Sequence, residues 1–492
     1  QDGDIIPLLS SKVVGENSGQ FSAVLISDPL PEGLYIKLNY IDAPKGGTDG
    51  GTIYAEVDQL ANLFGYGDPN SATVGGAATD LVVADIGNAS GAADGFEDII
   101  VTTTDSLIVF LSDGTGGIAS QITYPHVSFT SLSSVDTGDL DGDGTIDIVV
   151  TNSNTDEFIP IYNEFNDATQ LSIATPEPTG FVPVDSLIID IDGDLDQDVV
   201  VVCYGTTLSN GSLDFFDSVP SARTTFNGAG SIPLQGSPKS IDPTDVNDTK
   251  DLDLFVSFAN SNSVGKVVRT PAMRTFDWVL ESDTNVAIGP DKIKVHDLNG
   301  DGLADVVVSC TESDVVCVLT GQIDGSLSNS LNLPVGEEPS SLALLDFDND
   351  GDVDIAVVSS NENDNRVIAL YRNDTSINGG NMMFALDLTL DEGLNPILVS
   401  NGDIDGDAID DLVSINQVAS FRSTGNDILN VRKPLRSNCE EDIDGNGAVD
   451  IDDLLQLIGA FELTGRRPED INGDEVVNID DMLMLISAWG IC

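Results

Sequence analysis

Apolar positions along most of this chain come in short bursts, and the bursts recur. Ile148-Val-Val150 and Val306-Val-Val308 are too short for helices and are bounded by turn residues, the pattern of buried strands. From Ser131 to Pro178, one period predicts four strands. The first leads into Asp139, the second covers 147–151, the third covers 157–162 after the turn Asn152-Ser-Asn-Thr155, and the fourth lies near 170–173. An acidic loop joins the first two, clearest as Asp139-Leu-Asp-Gly-Asp-Gly-Thr-Ile-Asp147. Seven copies start at Asp85, Asp139, Asp190, Asp245, Asp297, Asp346 and Asp403, at intervals of 54, 51, 55, 52, 49 and 57 residues. Four short strands in about fifty residues make one propeller blade, and a ring of seven removes the edges that an open array would expose. A flat solenoid is the structural alternative.

The flanks read differently. Residues 1–74 lack the acidic loop and predict strands over 21–27, 34–41 and 52–57. They are expected either to complete the last blade or to form an arm or small domain, and such an arm could pair with a neighbouring subunit by strand addition. In the last segment the period becomes helical. Ile451, Leu454, Leu455, Leu457, Ile458 and Phe461 share their offsets with Ile479, Met482, Leu483, Leu485, Ile486 and Trp489. Each predicted helix follows its own acidic loop, and the two loops start 28 residues apart, at Asp442 and Asp470. The expected fold is mainly β: an N-terminal β extension (1–74), a seven-bladed β-propeller (75–435) and a small α-helical C-terminal domain with two calcium loops (436–492).

Composition sharpens the chemistry. Eighty-three acidic residues against 19 basic give a net charge of −64, and no Lys or Arg occurs from Gly46 to Ala222. Nucleic acid is a poor partner for such a chain, and so is an anionic membrane surface. No apolar run approaches the ~18 residues of a membrane span, so no membrane insertion is expected. The start at Gln1 and the five cysteines read as a mature secreted protein. Oxygen-bearing side chains stand at positions 1, 3, 5 and 9 of the loops, which suits calcium. These are Asp139, Asp141, Asp143 and Asp147; Asp190, Asp192, Asp194 and Asp198; Asp297, Asn299, Asp301 and Asp305; Asp346, Asp348, Asp350 and Asp354; and Asp403, Asp405, Asp407 and Asp411. The fourth copy keeps Asp245, Asn247 and Asp253 but has Thr249 at position 5 with Lys250 beside it, so its metal is expected to be weak or absent. An insertion stretches the first copy between Asp85 and Asp98. The tail loops offer Asp442, Asp444, Asn446, Asp450 and Asp453, then Asp470, Asn472, Asp474, Asn478 and Asp481, at positions 1, 3, 5, 9 and 12. Nine ions would cancel 18 of the 64 negative charges.

Two resemblances follow. The upstream loops resemble the FG-GAP or VCBS-type repeat, the calcium-loop blade of integrin alpha-chain propellers, over about 75–435. The segment from Cys439 to Cys492, with two loops each followed by one helix, resembles the dockerin family. That resemblance implies a secreted module that folds on calcium and plugs into a cohesin receptor. The residues just before position 12, through which the family usually reads its partner, are here Ile451-Asp452 and Ile479-Asp480, and Glu475 replaces Gly at the sixth position of the second loop.

Catalysis finds little support. His126 follows Pro125 in an expected connection, His296 reads as a strand residue, and there is no GxSxG elbow, HExxH pair or phosphate loop. Cys310 and Cys317 could pair across a hairpin turn, Cys439 and Cys492 could staple the tail, and Cys203 reads as a small buried side chain. Arg422, Arg432, Lys433, Arg436, Arg466 and Arg467 are expected to hold the tail against an acidic propeller face. The expectation is a secreted, non-enzymatic calcium protein of extracellular assembly, with partners that are other copies of itself or a cohesin-like receptor. A cohesin-docked polysaccharide-binding component and a dockerin-targeted polysaccharide-active enzyme are the alternatives.

Overall fold

The computed structural model describes 5–9, 34–41, 52–59, 69–433, 448–449 and 490–491. Within 69–433 it leaves out 88–94, 164, 208–209, 220–225, 245–251, 270–277, 324, 348–350, 361–365, 376–381, 391–394, 407–408 and 418–426. The chain divides into two compact units, Tyr66–Ser437 and Gln1–Gly65 with Asn438–Cys492.

The larger unit is a seven-bladed β-propeller. Blade two shows how the sequence builds one. Its strands Leu132–Gly138, Asp147–Asn152, Glu157–Tyr162 and Ser172–Ile173 pair antiparallel in chain order, and Glu177–Pro178 adds a further pair to the third. The strand at Asp147–Asn152 is buried throughout, as are Asp98–Thr103, Asp198–Cys203 and Asp305–Cys310 in their blades. Both faces of each second strand pack on neighbouring blades, so these strands read as unbroken apolar runs instead of alternating. Ile148 and Val150 join the cluster shared with blade one, while Val149 joins the cluster shared with blade three. Seven such clusters fill the spaces between blades.

Inner strands touch in sequence around the ring, and Asn395–Gly402 of blade seven touches Ala78–Ala84 of blade one. The circle is closed, and the solenoid is excluded. Blade seven takes its fourth strand, Asn70–Thr73, from the N-terminal side, paired with Ile428–Arg432. The ring therefore starts at Asn70, not at 75, because its last sheet needs an outer strand that the seventh repeat does not supply.

In the smaller unit, Ile5–Leu9, Thr52–Gln59 and Leu34–Ile41 form one antiparallel sheet with Thr52–Gln59 in the middle. Ala448–Val449 pairs with Gly490–Ile491. The strand expected over 21–27, both tail helices and the pair Cys439 and Cys492 lie outside the described residues.

The inner strands carry a second layer of order. Counted back from the first loop aspartate, Asp80, Asp185 and Lys292 stand five residues before it, and Asp136, Asp242 and Lys294 stand three before it. Each aspartate accepts the backbone N–H of the next blade's inner strand. Asp80 takes Val135 N at 3.1 Å, Asp136 takes Ile188 N at 2.6 Å, Asp185 takes Ile241 N at 3.1 Å and Asp242 takes Val295 N at 2.7 Å. Lys292 is held above its ordinary value by Asp185 and, after burial acting the other way, by Asp80 and Asp291. Lys294 lies 3.8 Å from Asp242. Two lysines of blade five thus balance carboxylates from blades one to four around the central channel.

Candidate metal corners

Each acidic loop turns the chain from the inner strand into the second strand, and one hydrogen-bond frame recurs at these corners. The ninth-position aspartate opens the second strand and ties three segments together. Asp147 accepts Leu140 N at 3.0 Å on one oxygen and Asn163 N, from the end of the third strand, at 2.8 Å on the other. Asp198 does the same with Ile191 N and Ser218 N, Asp305 with Leu298 N and Gly321 N, and Asp354 with Phe347 N and Asn373 N. Asp411 accepts Ile404 N, and Asp98 accepts Ser112 N. All six are at most 3 % exposed.

The first-position aspartate closes the loop from the other side. Asp139 accepts Asp143 N at 3.1 Å and Gly144 N at 2.9 Å, and Asp297 accepts Asp301 N and Gly302 N. Gly144 and Gly302 have φ of 86° and 82°, a left-handed turn that lets the loop fold back on its own carboxylates. Asp190 accepts Gly193 N and Leu195 N, Asp346 accepts Gly351 N and Asp403 accepts Gly406 N. Asp85 accepts Gly87 N and Gly95 N, so the stretched first copy keeps the same frame at its two ends.

The frame gathers like charges. Carboxylate oxygens of Asp139, Asp141 and Asp147 lie within 4.8 Å of one another, as do those of Asp190, Asp192 and Asp194. Burial is the main reason that Asp147, Asp198 and Asp305 are pushed up to about 7, with neighbouring loop carboxylates adding to it. Asp192 is also raised, by burial and then by Asp194. A donor set made only of oxygen, crowded and partly dry, fits a hard divalent cation such as calcium. Asp139, Asp141, Asp143 and Asp147 would hold it at corner two, and their counterparts would hold it at corners three and five. At corners six and seven, Asp346, Asp354, Asp403, Asp405 and Asp411 stand in the same frame, while Asp348, Asp350 and Asp407 lie outside the described residues. So do Asp245, Asn247 and all ten tail ligands.

Two features were not anticipated from sequence. Gln197, at position eight of corner three, accepts Asp139 N of corner two at 2.6 Å, and Glu97 accepts Asp403 N at 2.7 Å. These side chains brace one corner against the next around the rim. The signal was the single polar residue just before the ninth-position aspartate. Lys433, one of the basic residues expected to meet an acidic propeller face, contacts Asp405 and donates to Thr115 O at 3.2 Å. At least this one of the basic residues near the tail engages the propeller itself, across the join of blades seven and one.

The cysteines and histidines take structural places. Cys203 is buried, its thiol pushed up to about 12 by burial and by Asp214. Cys310 and Cys317 are free, with sulfurs 3.3 Å apart, and the register sets Cys310 opposite Val315 and Cys317 opposite Val308. His296 ends an inner strand, and His126 sits in the connection before blade two with its ring 5.5 Å from that of Phe129, edge to face.

The FG-GAP-like repeat family matches residues 93–150 and 297–357, the corners of blades one, two, five and six. The chain carries FG-GAP-like repeats. No curated protein matches it. Among solved structures, a functionally unknown protein from Desulfotomaculum acetoxidans is similar at 12 % identity and a TM-score of 0.46, covering 66 % of this chain and 93 % of its own. A protein from Lactobacillus plantarum is similar at 13 % identity and a TM-score of 0.45, covering 72 % of this chain and 96 % of its own.

Proposed function

We propose that this chain is a secreted, calcium-bound FG-GAP-like propeller that serves extracellular assembly, joining subunits or building a filament or surface layer, and that it is not an enzyme. The observation that carries the calcium part is the repeated corner. The ninth-position aspartate is buried and already spends both oxygens on backbone N–H groups in four blades. An ion held there would be enclosed by loop and strand, with its ligands committed to shape and none offered to a substrate. Calcium binding and folding are then one linked equilibrium. The assembly part is supported by the terminal regions: an N-terminal sheet outside the ring, and a tail whose paired loops resemble a docking module. Negative-stain images of the full chain test it. Polymers with calcium that fall to single rings in chelator are the expected result, and single rings at high concentration with calcium would overturn self-assembly.

The paired tail loops favour a second reading, a plug for a cohesin-like receptor. Capture by a cohesin that depends on calcium and is lost in Asp442→Ala would select it over self-assembly.

A further inference from the structure

Blade four departs from the others at its corner and in its core. Its loop has Thr249 at position 5, where corners two, three and five have Asp143, Asp194 and Asp301. Its ninth-position aspartate, Asp253, is the least buried of the seven, with a side chain 19 % exposed. The third strand shows the matching change. Two residues past the ninth-position aspartate, the second strand faces an apolar third-strand partner in six blades: Val109, Pro160, Phe215, Val318, Leu370 and Val431. In blade four the partner of Phe255 is Lys266.

Lys266 is 9 % exposed. A lysine at a core position is unfavourable unless its charge is met. Here Nζ lies 3.0 Å from Asp253 and 3.6 Å from Glu281, and donates to Gly325 O of blade five at 3.3 Å. The space beside it is a cavity of about 120 Å³ lined by Thr244, Asp253, Phe255, Gln322 and Leu327. Gly325 has φ +80°, and a Cβ there would stand 2.9 Å from Nζ, so the neighbouring blade leaves room for the ammonium.

We propose that Lys266 is the resident cation of the fourth corner: its ammonium meets Asp253 from inside the blade, and this corner takes no divalent ion. The proposal rests on the calcium reading of the complete corners, and the experiment separates the two. Calcium per chain is measured by elemental analysis for the unaltered protein, for Asp143→Ala and for Asp253→Ala. The calcium reading requires one ion lost from Asp143→Ala, an exposed loop change that removes the ligand oxygen. The Lys266 proposal requires none lost from Asp253→Ala. Loss of one ion from Asp253→Ala overturns the role of Lys266 and leaves the calcium reading standing, whereas an unchanged count in Asp143→Ala overturns the calcium reading itself. Should Asp253→Ala fail to fold, Lys266→Met decides. The expected result is a melting temperature lowered equally in calcium and in chelator, with the calcium count unchanged. No shift in either condition, or a shift confined to calcium, overturns the proposal.

Discussion

Carboxylates gather in two regions of this propeller, and the two regions surround them differently. Around the central channel, each inner-strand aspartate has a backbone N–H from the next blade, and Lys292 and Lys294 stand among them. At the complete corners, Asp139, Asp141 and Asp147 meet mainly one another and backbone donors. The channel carries its own counter-charges, whereas on the proposed calcium reading the corners take theirs from solution. A chain with 19 basic residues cannot furnish a cation to every cluster, so the few it has mark the places that must hold together without help. Cations from solution also tie stability to the composition of the medium.

Chelation should separate the regions most strongly. With calcium a hundredfold above its dissociation constant, each occupied corner contributes about 2.7 kcal/mol. Chelator should therefore lower the melting temperature far more than any single substitution, as read by calorimetry, and an unchanged curve would remove the distinction. Next in size is Lys292→Met, which leaves Asp80 and Asp185 without their shared cation. A loss of about 3 kcal/mol is expected in denaturant titration, of similar size with and without calcium. The smallest effect is a pH dependence. Burial pushes Asp136 up to about 7, with Asp185 adding to it and Lys294 and the N–H groups of Ile188 and Thr137 opposing it. Between its ordinary value of 3.8 and about 7, the folded chain keeps a proton that the unfolded chain releases, so stability falls as pH rises through that window. Asp136→Asn should be more stable than the parent at pH 8 by about 1 kcal/mol, with the gain gone near pH 4.

Much of the ring is legible in the chain itself, because its signals are local. A loop such as Asp139 to Asp147 brings its ligands together within nine residues, and the run Ile148-Val-Val150 announces a strand buried on both faces. The channel network was not legible for the opposite reason. Asp80, Asp136, Asp185, Asp242 and Lys292 contribute one group per blade, scattered over more than two hundred residues, and only closure of the ring makes them neighbours. Lys266 lay between these cases. Aligning the third strands would have shown a charge where the other blades are apolar, but its partner Asp253 could be named only once the register was known. The closing strand Asn70–Thr73 was a toss-up from sequence, since four residues ending an unpatterned segment carry almost no periodicity.

That closing strand has a consequence for the order of events in making the protein. Ser71 and Asn430 share a hydrogen bond across 359 residues of chain, so the last sheet stays unfinished until nearly all seven repeats have been synthesised. Contacts of such long sequence separation are slow to form. During that wait, the open border of Ile428–Arg432 is a template onto which the strand of another molecule could add.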